Sequence, residues 1–168
     1  MTEAAPNRRD RADAGERETL ECFLDDYRDI LVRKVSGLSD ADARRHLVAS
    51  ATTVGGLVKH LRWAEYGWFD QLLQERVDDN RRLHERSWEF EFLAEESLDT
   101  LIAEYQAQCE ESRRIAAEYP LEYTVPHRRL GRVSLRWIYV HMIEETARHT
   151  GQLDILREQL DGATGFDG

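Results

Sequence analysis

The chain has 168 residues, the length of one ordinary domain and enough to bury a core. Charged residues make up 33% of it and the formal net charge is -10, so phosphate backbones and anionic lipid are repelled and no nucleic-acid or membrane partner is expected. Nowhere do ~18 apolar residues follow one another, so no bilayer span is predicted.

Residues 1–16 read as a disordered polar tail. Arg8 and Arg9 are followed by no apolar run, so neither a secretory leader nor an anchor is expected. The first helix is predicted from Leu20, Phe23, Leu24, Tyr27, Leu31 and Val35, which recur at three- and four-residue steps, with Gly37 as its stop. Cys22 points away from that stripe and is expected to be exposed. Ser39 is a predicted cap for the short ADARRH segment.

A second helix starts near Thr52 or Thr53 and carries Val54, Leu57, Leu61, Ala64, Trp68 and Leu72 on one face. Gly55 and Gly56 fall in its first turn, where close packing is a reason to have them. Residues 77–96 are charged, studded with aromatics and too long for a tight turn, so a crossover is predicted. The third helix runs from about Ser97 through Leu101, Tyr105, Cys109 and Ala116 until Pro120 ends it. LEYTVPHRRLGRV reads as a loop. Ser134 then caps a fourth helix that reaches roughly Leu160, and residues 163–168 form a tail. No repeat is present, and four amphipathic stripes without a strand signal predict an all-α four-helix bundle over 17–162.

The fourth helix carries the chemical signal. Its apolar stripe of Leu135, Ile138, Met142, Leu153, Leu156 and Leu160 has a gap that Glu145 and His149 fill at the same spacing. A carboxylate on a core-facing arc loses its hydration and needs a compensating partner. A four-residue step on a helix brings two side chains within reach of a single ion. An arginine partner would compensate Glu145 equally well, and both readings stand at this point. His60 flanks the second stripe. Glu65, nearer that stripe's centre, is open as a ligand, a residue supporting a ligand, or a buried ion-pair member. His141, four residues before Glu145, is read first as a supporting or structural residue. His46, His84 and His127 stand in polar contexts and are expected to be solvated. Cys109 reads as packing, and neither cysteine has a local base to activate it. The two are far apart in sequence without a CxxC pair, which suits a reducing cytoplasm.

LRWIYVHMIEETARHTGQLDILREQLDG resembles the last helix of the DinB/YfiT-like superfamily, in its actinobacterial mini-circle-type branch. TTVGGLVKHLRWAEYGWF resembles that branch's second helix, and SWEFEF its crossover. The likeness spans about residues 17–162. It implies a DinB-like bundle in up-down-down-up order, with a long crossover between helices 2 and 3. It also implies a divalent metal held by His60, Glu145 and His149. Many relatives carry His where Glu145 stands; thiol-dependent maleylpyruvate isomerases of the superfamily use two His and one Glu. Zinc is the first expectation, with nickel, iron and manganese compatible with the same donors.

The resemblance further implies a cytoplasmic enzyme that activates a low-molecular-weight thiol, mycothiol in type, against an electrophile by S-transfer or isomerisation. A homodimer is an expectation of the same kind. Arg136 and Arg148 are candidates for binding a carboxylate of thiol or substrate, and Trp68 and Met142 for walling the site. The alternatives are a metal-dependent hydrolase and a non-catalytic metal-binding stress-response bundle.

Overall fold

The structure, a computed structural model, describes residues 12–76 and 86–164. The tail up to residue 11, the connection 77–85 with His84, and residues 165–168 lie outside the described residues. Helix α1 spans Glu16–Val35 and stops before Gly37, which takes a left-handed φ of 79°. A one-turn helix α2, Asp40–Ala43, follows. Helix α3, Val54–Glu65, passes without a break into a π-helical segment, Tyr66–Leu72. A 3-10 turn at Arg86–Phe90 precedes α4, Leu98–Ala116. Strands β1, Thr124–His127, and β2, Gly131–Ser134, lead into α5, Leu135–Asp161.

Four helix starts follow from one local device. The hydroxyls of Ser39, Thr53, Ser97 and Ser134 accept from the backbone N–H three residues on; the sequence predicts the Ser39 and Ser134 caps and places the other two starts near Thr52 or Thr53 and Ser97. Each such cap contributes about 1 kcal/mol. The fold is mostly helical, and the expected absence of strands fails at one place. Residues 124–134 form an antiparallel hairpin rather than a loop, with Val125 opposite Val133. Both valines are buried against the core, while Pro126 and Arg132 opposite each other face outward. Two four-residue strands are too short for alternation to stand out in the sequence.

Among the longer elements, α1 packs on α5, α3 on α4, and α3 on α5. The apolar interior divides into two clusters. One contains Leu24, Phe69, Ile115, Ile138 and Met142 with the hairpin valines; the other contains Leu31, Leu57, Leu61, Tyr105, Cys109 and Leu153. On α1, α4 and α5 a buried polar residue stands between the two clusters, Arg28, Ser112 and Thr146, and on α3 buried Glu65 follows directly after the change between Leu61 and Ala64. Arg28 donates from Nε and Nη2 to the two carboxylate oxygens of Glu65 at 2.8 and 2.6 Å. This fork explains how a carboxylate with no solvent exposure is tolerated.

Helix α1 corrects the predicted stripe. Cys22 is buried, whereas Phe23 is 40% exposed. The buried set on α1 includes Ile30 and Lys34 besides Leu31 and Val35, so the inward arc is wider than the stripe and displaced from it. Arg28 and Lys34 lie inside that arc because each has a carboxylate partner, Glu65 and Asp154 respectively.

Candidate metal centre

Glycines at the start of α3 set the position of the neighbouring chain. A Cβ on Gly55 would meet the Phe92 ring at 2.4 Å, and one on Gly56 would meet the Phe90 carbonyl oxygen at 2.0 Å. The segment after the 3-10 turn therefore lies directly on α3. Lys59 reinforces the contact by donating to the Glu91 carbonyl at 3.0 Å and pairing with Glu96 at 2.8 Å. Arg44 donates to the carbonyls of Leu93 at 3.0 Å and Ala94 at 3.2 Å, and also to that of Glu96. One residue beyond Lys59 stands His60, with the Phe90 ring stacked on its imidazole at 4.1 Å and 17°.

Helix α5 brings Glu145 and His149 to the same place. Nε2 of His60 lies 3.0 Å from Glu145 Oε1, and Nε2 of His149 lies 3.4 Å from the same oxygen. Potential ligand atoms of the three residues all lie within 4.8 Å of one another. The two imidazoles meet edge to face at 4.8 Å. His149 is buried, and the His60 and Glu145 side chains keep 12% and 17% of their exposure, so the cluster opens to solvent on one side.

The far ring nitrogens also face acceptors, one in a hydrogen bond and one in a looser electrostatic contact without hydrogen-bond geometry. His149 Nδ1 is 2.8 Å from Gln152 Oε1, and His60 Nδ1 is 3.4 Å from the Glu89 carboxylate. Both partners are acceptors, which favours the proton on Nδ1 in each ring. The two Nε2 lone pairs and the Glu145 carboxylate then converge, three acceptors on one point, and only a cation or a shared proton satisfies them. This donor set fits a divalent ion such as zinc, which takes imidazole and carboxylate together.

The electrostatics describe the shared-proton alternative, in which Nε2–H groups face Glu145. Burial works against a charged His60, but hydrogen bonding and the nearby charges of Glu145 and Glu89 outweigh it and raise its pKa. Hydrogen bonds from His149 and His60 hold the Glu145 carboxyl well below the usual range.

Other predicted residues lie elsewhere. Glu65 is occupied by Arg28 and does not join the cluster. His141 stacks on Trp137 at 5.1 Å and meets Trp68 edge-on at 4.6 Å, with Nδ1 3.7 Å from Glu144. Arg136 pairs with Glu16 and Glu122, both at 2.6 Å. Arg148 pairs with Glu144 and lies 4.0 Å from Glu145 Oε2 at the open side. Met142 is wholly buried in the core, and Phe90 walls the cluster at His60. His127 is half-buried and stacked on Trp68 at 5.5 Å and 7°, so it is only partly solvated. Glu89, Phe90 and Gln152 were not predicted. Gln152 stands three residues after His149 on the same helix, a spacing that offered the signal.

A mostly helical chain that gathers two histidines and a glutamate from two helices matches what the DinB/YfiT-like resemblance implies. A family model described as mycothiol-S-transferase matches residues 19–162. The chain belongs to that family, which lies within the DinB/YfiT-like superfamily. Comparison with curated proteins gives no match. No helix among the described residues is long and apolar enough to cross a membrane.

Proposed function

We propose that the protein is a metal-dependent thiol S-transferase, with His60, Glu145 and His149 holding one divalent cation, zinc first. The observation that carries the reading is the convergence of two Nε2 atoms on Glu145 Oε1, in a chain of the mycothiol-S-transferase family. A divalent ion there supplies Lewis acidity, which lowers the pKa of a thiol sharing the site. In the same reading the helices form a four-helix bundle in up-down-down-up order and the protein works in the cytoplasm.

The chain's own residues prepare the site. Gln152 fixes the His149 ring from behind, Glu89 faces His60 Nδ1 with its charge, and Phe90 covers one face of His60 against water. The Glu145 carboxylate adds negative charge, which tempers the ion's acidity relative to a site with three neutral ligands. The thiol releases its S–H proton to solvent at the open side of Glu145. The sulfur lone pair forms the new S–C bond, and a leaving group departs with the electrons of the bond it loses. The sum is a thiol plus an electrophile giving a thioether plus the protonated leaving group.

The test is elemental analysis followed by turnover of a bimane electrophile with mycothiol, bacillithiol, glutathione or no thiol. Thiol-dependent turnover that is lost in Glu145→Ala supports the reading. Equal rates with every thiol and with none, at full metal occupancy, favour a hydrolase or a metal-binding protein without this chemistry.

A further inference from the structure

Helix α5 carries Trp137, His141, Glu145 and His149 at successive four-residue steps, so neighbours in this series adjoin and the line winds by about 40° per step, from buried His149 round to the more exposed Trp137. Each step advances about 6 Å along the axis. The metal cluster is thus continued, one and two steps toward the helix start, by aromatic rings. His141 stacks on Trp137, Trp68 from the π-helical segment touches both, and His127 from β1 stacks on Trp68. These rings are not sealed in the core. Trp137 is 38% exposed, and Trp68, His127 and His141 are half-buried.

The platform has a polar edge as well. Nδ1 of His127 accepts from the backbone N–H groups of Arg129 and Leu130 at 3.3 and 3.2 Å. Acceptance at Nδ1 leaves the neutral ring's proton on Nε2, which is therefore a donor.

We propose that this platform seats the hydroxyl-rich ring portion of the thiol cosubstrate; the proposal rests on the thiol-transfer reading above. Three features point there. A saturated sugar or cyclitol ring presents C–H groups on its faces and hydroxyls at its rim. Aromatic faces attract the former, and the His127 donor suits the latter. The distance also fits. In a cysteine amide of an amino sugar, the S–Cβ–Cα–C–N chain puts the first ring roughly 6 Å from the sulfur when extended. A sulfur at the His60–Glu145–His149 cluster therefore brings that ring level with His141 and the following one toward Trp137.

The test uses the sugar–cyclitol fragment without its cysteine. This fragment has no thiol, so its binding does not require turnover or a sulfur at the metal. Tryptophan fluorescence and ligand-observed NMR follow its titration into the zinc-loaded protein. We expect saturable binding that weakens by about tenfold in Trp137→Ala and survives in Ile155→Ala, an exposed apolar position farther along α5. His127→Phe, which keeps a ring and loses the donor, should give a smaller loss and guards against misfolding of the first variant. Metal content should stay at the wild-type level in all three. Absence of binding to wild type, or equal binding to wild type and Trp137→Ala, overturns the proposal. So does a thiol-free aromatic electrophile that competes for the platform while the fragment does not. Fragment binding without thiol-dependent turnover would instead count against the transferase reading, so the two failures are distinguishable.

Discussion

Gly56 and Phe90 are in backbone contact: a methyl group on the glycine would stand 2.0 Å from the Phe90 carbonyl oxygen. The Phe90 side chain is in turn stacked on His60. Backbone cannot yield to the methyl as a flexible side chain can, so Gly56→Ala must push the 86–96 segment away from α3. Phe90 and Glu89 then leave the His60 ring. We expect metal affinity to fall by about 10-fold or more, although the substitution touches no ligand. Competition with a calibrated chelator measures it, and unchanged affinity would show that the crossover does not support His60.

His149→Ala removes one converging nitrogen and should abolish stoichiometric metal. Gln152→Ala leaves all three proposed ligands and removes only the acceptor at His149 Nδ1. Its expected cost is about 10- to 100-fold in affinity, the range for loss of a residue that orients a ligand. The pair of variants, compared by elemental analysis and chelator competition, separates ligation from orientation.

The Arg28–Glu65 fork should dominate single-variant losses in the core. Arg28→Met strands a carboxylate with no solvent exposure, at a cost of about 3–5 kcal/mol. Replacing both partners, Arg28→Met with Glu65→Gln, should recover part of that loss, because no buried charge is then left without a partner. Urea unfolding of the two singles and the double gives the coupling energy. Additive losses would mean that the two residues act independently.

Burial, and then the charge of Glu65, push the Cys109 thiol up to about 12. Folding thus favours the protonated thiol. The contribution is fully present below the thiol's ordinary value near 9 and fades as pH rises through that value toward 12. Cys22 is buried too. The native protein should therefore leave both cysteines unmodified by an aromatic disulfide reagent at pH 8, and expose them only on unfolding. Rapid labelling of one native thiol would contradict the packing of α1 or α4.

What the sequence revealed depended on how local each determinant is. The Ser39 and Ser134 caps act within three residues and were legible, and the starts at Thr53 and Ser97 were legible to within a residue. Glu145 and His149 were legible as a pair because one helix sets their spacing. His60 was not separable from a half-buried surface histidine by periodicity alone; its placement depends on Phe90 and Glu145, 30 and 85 residues away. Glu65 could not be sorted among ligand, support and ion-pair roles until Arg28 of α1 was seen beside it. The hairpin escaped because its buried valines, Val125 and Val133, are isolated apolar residues among arginines, proline and glycine. Trp68 was read on a regular α-helical stripe, whereas Tyr66–Leu72 is π-helical and shifts the register of the face it presents.

The 85-residue separation of His60 and Glu145 has a further effect. Bringing those side chains together closes a loop over half the chain, and an ion held between them would act as a reversible cross-link between α3 and α5. Ligands at both ends must be gathered before such an ion binds well, so the unfolded chain competes poorly for it. The melting temperature should then rise with free metal concentration, and a chelator should loosen the whole molecule rather than one face of it. Chemistry and mechanical cohesion would be drawn from the same three side chains.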